Sequence, residues 1–323
     1  MVHIPFNEDI LIWVAEHRFY LLTFIMSFFT HIGSIEGYIL LICGIHWLYN
    51  KNVGVRAGVA LLISAILNHT LKIIIKNPRP FIESGETDKY WAKPFLEADE
   101  SELGYSTPSG HAMGSSTFFS YIYLKNKSRK SLIISFIFIF MIGISRPYLG
   151  VHYLEDVLLG WMIGILVTLL VFKVEPVIPT IWNKQSESVK YIILLVPALL
   201  TTIISGVVTN YSEDGTAYVT LSGILSGALF GYVYELKAND FDEDYDEVYI
   251  GILRYILGIV LVFSFQIGLD EIFAIISDDY SLLGYILRLI RYFLIGFSIT
   301  YLAPFLFVKL NLAKTRIEGN KSE

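Results

Sequence analysis

The sequence predicts an all-α integral membrane protein, a polytopic bundle of about ten helices, from its composition and from the length of its apolar blocks. Of the 323 residues 54% are hydrophobic and 17% are charged, whereas soluble domains contain about 45–50% apolar and about 25% charged residues. The mean hydropathy is +0.57. Crossing a hydrocarbon core of roughly 30 Å takes about 20 apolar residues. The apolar blocks fall at residues 10–31, 35–50, 55–77, 109–124, 131–146, 151–173, 190–209, 217–236, 248–269 and 281–307.

The two N-terminal blocks are the weakest transmembrane candidates. Polar and charged side chains at 16–18 interrupt the first block, so we expect residues 8–18 to lie along the membrane interface and 19–31 to enter the membrane. The second block, 35–50, is short. It would require local thinning of the bilayer or burial among neighbouring helices.

Lysine and arginine residues in the short loops predict the orientation of the protein in its membrane. They are concentrated at 50–56, at 125–130, at 173–190 and in the C-terminal tail, which all lie on one side if ten segments alternate. The positive-inside rule makes that side cytoplasmic. We therefore expect a multi-pass protein, in the cell membrane if the source is prokaryotic, with both termini in the cytoplasm.

A polar stretch with two prolines divides the chain at 174–189. We interpret it as a cytoplasmic linker. The preceding part, 1–173, contains every motif with recognisable chemistry, whereas 190–307 forms four additional transmembrane segments. Residues 308–323 form a cytoplasmic tail.

One helix in the C-terminal half carries a face of small residues. Gly223, Gly227 and Gly231 form two successive G-x-x-x-G steps, a pattern that lets helix backbones approach closely. Packing within the chain is the simpler interpretation. A homodimer formed through this face is the alternative.

Two charged features of the C-terminal half need separate interpretation. Six acidic residues lie between Asp240 and Glu247, and a solvated cytoplasmic loop explains them more simply than a cation site does.

Arg288 and Arg291 lie near the outer end of the last segment. Their position does not follow from the positive-inside rule.

Three separated stretches contain the side chains that suggest chemistry. They read K-x6-R-P at 72–80, P-S-G-H at 108–111 and S-R-x5-H-x3-D at 145–156, and each stands at the end of an apolar block. Together they supply three cations, two imidazoles and one carboxylate on the predicted outer side. This set is suited to holding a phosphoryl group, attacking it with histidine and protonating its leaving group.

The first group of candidates would bind phosphate. Arg79 and Arg146 offer planar forks that match two phosphate oxygens, and Lys72 adds a compact charge. Snorkelling toward lipid headgroups is an alternative role for Lys72. Ser109 and Gly110 stand at the predicted start of a helix, where free amides and the helix dipole attract anions.

The second group would transfer protons and the phosphoryl group. His152 and Asp156 are four residues apart and can meet on one helical face, where the carboxylate would fix the tautomer and leave one nitrogen free to attack. A pair that only stabilises the bundle is the alternative, but ionisable groups at membrane depth are costly without a function. His111 is placed to protonate a leaving group, or otherwise to serve as a helix cap.

Metal and nucleic-acid chemistry fit the sequence less well. A zinc site could be imagined from His111, His152, Glu155 and Asp156, but three nearby cations would repel a divalent metal, and the sequence contains no H-E-x-x-H and no paired cysteines. We expect no metal and no cofactor. The net charge of −6 argues against nucleic acid as a partner.

The three stretches resemble the signature motifs of the type 2 phosphatidic acid phosphatase superfamily, K-x6-R-P, P-S-G-H and S-R-x5-H-x3-D, at every defining position. The resemblance covers 1–173 and implies a six-helix phosphatase core, to which about four C-terminal helices are added. It implies that His152 is the nucleophile that forms a phosphohistidine, that Asp156 orients it and that His111 is the general acid. It also implies metal-independent catalysis and assigns the phosphoryl oxygens to Lys72, Arg79, Ser109, Gly110 and Arg146.

We therefore expect a membrane phosphatase that hydrolyses a lipid phosphate or diphosphate at the extracytoplasmic face, with the loop at 81–107 covering the site. A sugar-phosphate phosphatase similar to glucose-6-phosphatase and a lipid phosphotransferase are the enzymatic alternatives. A phosphate or lipid transporter, or a scramblase, is the non-enzymatic alternative. It would need the cations of the site but not the imidazoles.

Overall fold

The computed structural model describes residue 6 and residues 8–80 and 104–319. These residues form a bundle of α-helices, which confirms the all-α prediction. Most of the loop expected to cover the site, at 81–103, lies outside the described residues. The helices are α1 (Asp9–Glu16), α2 (Tyr20–Ile32), α3 (Ile35–Leu48), α4 (Lys51–Ile75), α5 (Gly110–Asn126), α6 (Arg129–Tyr148), α7 (Leu154–Val174), α8 (Ile178–Trp182), α9 (Glu187–Thr209), α10 (Glu213–Ala238), α11 (Val248–Ile276), α12 (Leu282–Phe297), α13 (Ala303–Lys309) and α14 (Arg316–Gly319).

Seven helices in the described part of the chain are long and apolar enough to cross a membrane, so this is a multi-pass membrane protein. They are α4, α6, the continuous stretch Leu154–Trp182, α9, α10, α11 and the continuous stretch Leu282–Lys309. Helix α5 contains 17 residues, fewer than the about 20 that cross a hydrocarbon core. Every predicted apolar block contains a helix, but fewer than ten of these helices are spans by length and composition.

The first two blocks account for part of this difference, because α2 and α3 bend by 62° relative to each other and form at most one broken span. A Cβ atom at Gly37 would overlap the carbonyl oxygens of His31 and Ile32. The first turn of α3 therefore packs directly on the end of α2, and a glycine is required there. Hydropathy does not reveal this bend, since both segments are apolar.

Helix α1 ends at the predicted interruption and lies beside the last turn of α6 and the first turn of α7. Leu11 packs on Tyr153, and the ring of Phe6 lies 5.4 Å from that of Tyr153. The Arg18 Nε atom donates to the carbonyl oxygen of Tyr148 over 2.8 Å. This end of unit 1 carries the third motif, so α1 and the third motif lie at the same end of the unit. The cytoplasmic location of the N-terminus stays a prediction.

The described residues divide into two compact units. Unit 1 contains those up to Ile39 together with Ala60–Glu175, and unit 2 contains Leu40–Val59 together with the residues from Pro176 onward. The functional partition of the chain at 174–189 stays a prediction. All three motifs belong to unit 1.

In unit 1, small residues allow α5 and α7 to pack closely. A Cβ atom at Gly160 would lie 2.8 Å from the carbonyl oxygen of Ser109. One turn further along α7, a Cβ atom at Gly164 would overlap the hydroxyl of Ser116. Thr117 donates to the hydroxyl of Ser64 over 2.9 Å and so connects α5 to α4. The close contact aligns the N-termini of α5 and α7, where two of the motifs lie.

In unit 2, the glycine face of α10 packs against α12. Cβ atoms at Gly223 and Gly231 would each lie about 3.1 Å from atoms of α12, and one at Gly227 would overlap the backbone of Phe293. Gly296 on α12 approaches α10 equally closely. Packing within the chain is therefore the correct interpretation. Because α12 covers the glycine face of α10, that face is not available to bind a second copy of the chain.

Arg288 and Arg291 on α12 form ion pairs inside unit 2. Arg288 Nη2 lies 3.2 Å from a carboxylate oxygen of Asp279, and Arg291 pairs with Asp270 on α11. These carboxylates neutralise the two cations at the turn between α11 and α12. Local ion pairing therefore accounts for these two arginines in unit 2.

Part of the acidic segment at 240–247 makes ion pairs and hydrogen bonds inside unit 2, while Asp244, Asp246 and Glu247 are exposed. The buried Lys51 Nζ atom lies 2.6 Å from Asp240 Oδ1 and 3.4 Å from Glu235 Oε2. Arg254 donates to the carbonyl oxygens of three consecutive loop residues, at 242–244. Arg316 also pairs with Asp242 and Glu243, so cations of the chain itself pair with several acids of this loop.

Candidate active site

The three motifs meet where four helices of unit 1 end: the C-terminus of α4, the N-terminus of α5, the C-terminus of α6 and the N-terminus of α7. The prolines at 78 and 80 end α4, since each lacks an N–H donor. Ser109 caps α5 and accepts a hydrogen bond from the amide of Ala112 over 3.4 Å. Its own amide donates to the carbonyl oxygen of Asp156 over 3.1 Å, which joins the second motif to the third.

His152 and Asp156 contact each other in the interior of the unit, with exposed fractions of 1% and 0%. The distance from His152 Nδ1 to Asp156 Oδ2 is 3.3 Å. His152 precedes α7, so the two side chains meet across the cap of the helix and not along one helical face. The amide of Tyr153 also donates to Asp156 Oδ2, over 3.0 Å, and completes the cap.

The other imidazole nitrogen of His152 faces a cation. Arg79 Nη1 lies 3.4 Å from His152 Nε2 and donates to the carbonyl oxygen of Val151 over 3.1 Å. Arg79 Nε donates to the carbonyl oxygen of Gly104 over 2.8 Å. Two backbone carbonyls therefore fix the guanidinium beside the Nε2 atom of His152.

The environment of His152 favours its neutral form. Burial lowers the pKa of His152 well below its ordinary value, and the positive charges of Arg79, Lys72, Arg146 and His111 lower it further. A neutral imidazole with a proton on Nδ1, toward Asp156, has its lone pair on Nε2. The tautomer is assigned from this hydrogen-bond pattern.

Helix α2 contributes to the site, which the motifs do not predict. The buried Arg146 Nη1 atom donates to the hydroxyl of Thr30 over 2.5 Å. A Cβ atom at Gly33 would lie 3.1 Å from the ring of His111, so the end of α2 passes beside the second motif. A single hydroxyl in an apolar helix carries no periodic signal that sequence reasoning could have used.

The remaining predicted residues lie at the same end of unit 1. Lys72 is in the last turn of α4 and His111 is the second residue of α5. Both are close enough to His152 to influence its charge. A Cβ atom at Gly110 would lie 3.2 Å from the side-chain oxygen of Asn68. The structure therefore brings all eight predicted site residues to the same end of unit 1. Their catalytic roles stay predictions.

Three further polar residues of the site were missed by sequence reasoning. Ser106 and Thr107 donate to the carboxylate of Asp156, and Asn77 donates to the hydroxyl of Thr107 over 3.1 Å. The signal in the sequence was a pair of adjacent hydroxyl residues immediately before Pro108. All three are buried, with exposed fractions of 0–1%.

Two parts of the chain match known protein families. Residues 53–178 match the PAP2 superfamily, and residues 219–315 match the transmembrane extension of PAP2 superfamily phosphatases. The first match contains all three motifs. A crystal structure of a transmembrane PAP2 type phosphatidylglycerolphosphate phosphatase from Bacillus subtilis aligns with 53% of this chain and 85% of that one, at 25% identity and a TM-score of 0.42.

Three characterised proteins are similar to parts of the chain. Undecaprenyl-diphosphatase of Sulfolobus acidocaldarius is 26% identical over 39% of this chain and 56% of its own length. Phosphatidylglycerophosphatase B of Bacillus subtilis is 35% identical over 22% of this chain and 39% of its own length. Bacitracin transport permease protein BcrC of Bacillus licheniformis is 30% identical over 41% and 62%. The chain thus spans less than two thirds of each relative. Because two of its regions match PAP2 models, this chain belongs to the PAP2 superfamily and carries the superfamily's phosphatase transmembrane extension in its C-terminal half.

Proposed function

We propose that this protein is a phosphatase that releases inorganic phosphate from a membrane lipid phosphate or diphosphate through a phosphohistidine. The observation that carries the proposal is the placement of His152 between Asp156 and Arg79, with the Nε2 atom 3.4 Å from the guanidinium. A nucleophile, a group that orients it and a phosphate-binding cation are thereby adjacent. The names of two relatives, a diphosphatase and a phosphatidylglycerophosphatase, support the same reaction class.

In the first step, the lone pair of His152 Nε2 attacks phosphorus and the bond from phosphorus to the leaving oxygen breaks. The leaving oxygen takes a proton from His111. Asp156 stabilises the positive charge that develops on the imidazole and retains the Nδ1 proton in place. The products of this step are the released alcohol, or the lipid monophosphate from a diphosphate, and a phosphohistidine.

In the second step, water attacks the phosphohistidine and gives a proton to His111. The phosphorus–nitrogen bond breaks, inorganic phosphate leaves and His152 returns to its neutral form. Lys72, Arg79, Arg146 and the amides at the start of α5 would hold the phosphoryl oxygens throughout. Fixed donors in a buried site stabilise the transition state because they need no reorganisation during the reaction.

The substrate we propose is a lipid, because the helix that contacts Arg146 is apolar on its outer face. Tyr20, Phe24 and Phe28 of α2 are 74%, 55% and 56% exposed, whereas Thr30 on the inner face binds Arg146. A lipid tail can lie against such a surface while its phosphate reaches the site. A soluble sugar phosphate would not use this surface, and phosphotransfer would require an acceptor other than water.

We place the site on the extracytoplasmic side of the cell membrane and the C-terminal tail in the cytoplasm. The distribution of lysine and arginine in the short loops supports this orientation. The contacts of Arg18 with Tyr148 and of Leu11 with Tyr153 support an N-terminal segment on the same side as the site. Labelling of single cysteines with a membrane-impermeant reagent, at exposed positions of α1 and of the tail in a Cys43→Ala background, would test this orientation.

The activity is tested by phosphate release in detergent from a panel of lipid diphosphates, lipid monophosphates and sugar phosphates, with EDTA present. We expect release from a lipid substrate, and loss of release in His152→Asn. His17→Asn is the matched control, because the exposed His17 contacts Trp13 and lies outside the site. Release that requires a divalent metal, or that survives His152→Asn, would contradict the proposal.

Transport without cleavage is the second candidate, and the relative named a bacitracin transport permease favours it. A transporter would need the cations of the site to bind phosphate, but not an imidazole with an oriented tautomer. Reconstituted vesicles distinguish the two functions. Lipid movement by His152→Asn at the wild-type rate, together with no phosphate release by the wild type, would favour transport.

A further inference from the structure

The carboxylate of Asp156 is held by more donors than its contact with His152 requires. Its Oδ1 atom accepts from the hydroxyl of Thr107 over 2.5 Å. Its Oδ2 atom accepts from the hydroxyl of Ser106 and from the amide of Tyr153, and it lies 3.3 Å from His152 Nδ1. Hydrogen bonds to an ionised group are roughly twice as strong as those between neutral groups.

The direction of these hydrogen bonds follows from which atoms can donate. Ser106 Oγ gives its proton to Asp156 and lies 3.3 Å from His152 Nδ1, so the serine can only accept from that nitrogen. An ionised carboxylate also only accepts. Both neighbours of Nδ1 therefore require a proton on it, and the lone pair of the imidazole is on Nε2.

Hydrogen bonds also fix the hydroxyl of Thr107, which contacts the other oxygen of the Asp156 carboxylate. Its hydroxyl gives its proton to Asp156 and accepts from Asn77 Nδ2 over 3.1 Å. The amide of Ser106 donates to the carbonyl oxygen of Asn77 over 2.8 Å. Asn77 thus fixes both hydroxyl residues through one hydrogen bond each and connects the end of α4 to the carboxylate.

We propose that Ser106 and Thr107 are positioning residues that fix the Asp156 carboxylate and, through it, the tautomer of His152 with its reactive lone pair on Nε2. Neither residue belongs to the three motifs. The catalytic consequence rests on the proposed function, whereas the effect on the tautomer does not. A purely structural role, in which the two hydroxyls only anchor the loop before α5, is the competing explanation.

The kinetic test compares variants that remove a hydroxyl with variants that keep it. Thr107→Val preserves the shape of the side chain and Thr107→Ser preserves its hydroxyl. We expect kcat to fall by about ten- to a hundredfold in Thr107→Val and in Ser106→Ala, with KM within about twofold of the wild type. Thr107→Ser is expected to recover most of kcat, because the hydrogen bond to Asp156 is restored.

Two control variants remove equally buried hydroxyls that bond only to a carbonyl of their own helix. They are Thr202→Val, whose hydroxyl donates to Ala198, and Ser115→Ala, whose hydroxyl donates to Ala112. We expect both to keep kcat within about twofold of the wild type. Equal losses in the controls and in the site variants would show a general effect of removing buried hydroxyls and would overturn the proposal.

A direct measurement of the tautomer separates this proposal from the proposed function. In protein labelled with 15N in the histidine rings, the signals absent from His152→Asn identify His152. We expect a protonated Nδ1 and an unprotonated Nε2 in the wild type, and a larger share of the Nε2–H tautomer in Thr107→Val and Ser106→Ala. This result would support the positioning role even if the wild type released no phosphate, in which case only the proposed function would fall. An unchanged tautomer in both variants would overturn the positioning role whatever their activity.

Discussion

Arg79 Nη1 and His152 Nε2 are 3.4 Å apart, and carbonyl oxygens hold the guanidinium in that position. The nitrogen that would attack phosphorus is therefore the one nearest to a fixed cation. A phosphoryl group bound by Arg79 would have its phosphorus close to that lone pair. The contact places the phosphate-binding guanidinium beside the attacking nitrogen, which is the proximity needed to convert a bound phosphate into a phosphohistidine.

Arg79→Lys should reduce kcat/KM by about a hundredfold, because a lysine cannot present two parallel donors to phosphate or keep the contacts with the Gly104 and Val151 carbonyls. Arg18→Lys is the matched control. It alters an arginine that donates to the Tyr148 carbonyl at the same end of the unit, outside the site. Phosphate-release kinetics on both variants check the prediction, and equal effects would contradict a specific role for Arg79.

If protonation of His152 causes the loss of kcat/KM in acid, the midpoint of that loss should lie below the ordinary histidine pKa of about 6.5. Burial and the charges of Arg79, Lys72, Arg146 and His111 lower the pKa of His152, so the imidazole stays neutral to lower pH. Lys72→Met removes one of these charges. It should move this midpoint to higher pH as well as reduce the rate, whereas a midpoint that does not move would contradict the assignment.

The same pKa shift predicts how stability depends on pH. Above about pH 6.5 the His152 imidazole is neutral in the folded and in the unfolded chain and adds no pH dependence. Below that pH the unfolded chain takes up a proton that the folded protein does not, so stability falls as the solution becomes more acidic. His152→Asn should weaken this acid dependence in thermal unfolding followed at several pH values. An identical dependence in the variant would contradict the prediction.

The sequence predicted the helices and the motif residues because both leave local signals. Apolar blocks show where helices lie, and the spacing of His152 and Asp156 showed that they could meet. The contact between Arg146 and Thr30 joins residues 116 positions apart, and one hydroxyl on an apolar helix leaves no pattern. The bend between α2 and α3 was missed for a related reason: it depends on packing at Gly37, between two equally hydrophobic segments.

Thr30→Val should reduce kcat/KM by about tenfold, because it removes the hydroxyl that accepts a 2.5 Å hydrogen bond from the buried guanidinium of Arg146. Thr30→Ser keeps the acceptor and should restore most of the activity. Phosphate-release kinetics on both variants test whether α2, which lies outside the matched superfamily region, takes part in the site. Loss of activity in Thr30→Ser equal to that in Thr30→Val would indicate a packing effect and contradict the role of the hydroxyl.

Gly227→Ala should destabilise the protein by about 1–3 kcal/mol, since the added methyl would overlap the backbone of Phe293 and force α10 and α12 apart. Gly268→Ala is the matched control, because nothing lies within 4 Å of a Cβ atom at that position of α11. It should be neutral or slightly stabilising, as alanine is the better helix former. Thermal unfolding in detergent measures the difference, while size-exclusion chromatography records the oligomeric state. If Gly227→Ala dissociated a dimer and left the stability of the monomer unchanged, the glycine face would have to bind a second copy, contrary to its burial against α12.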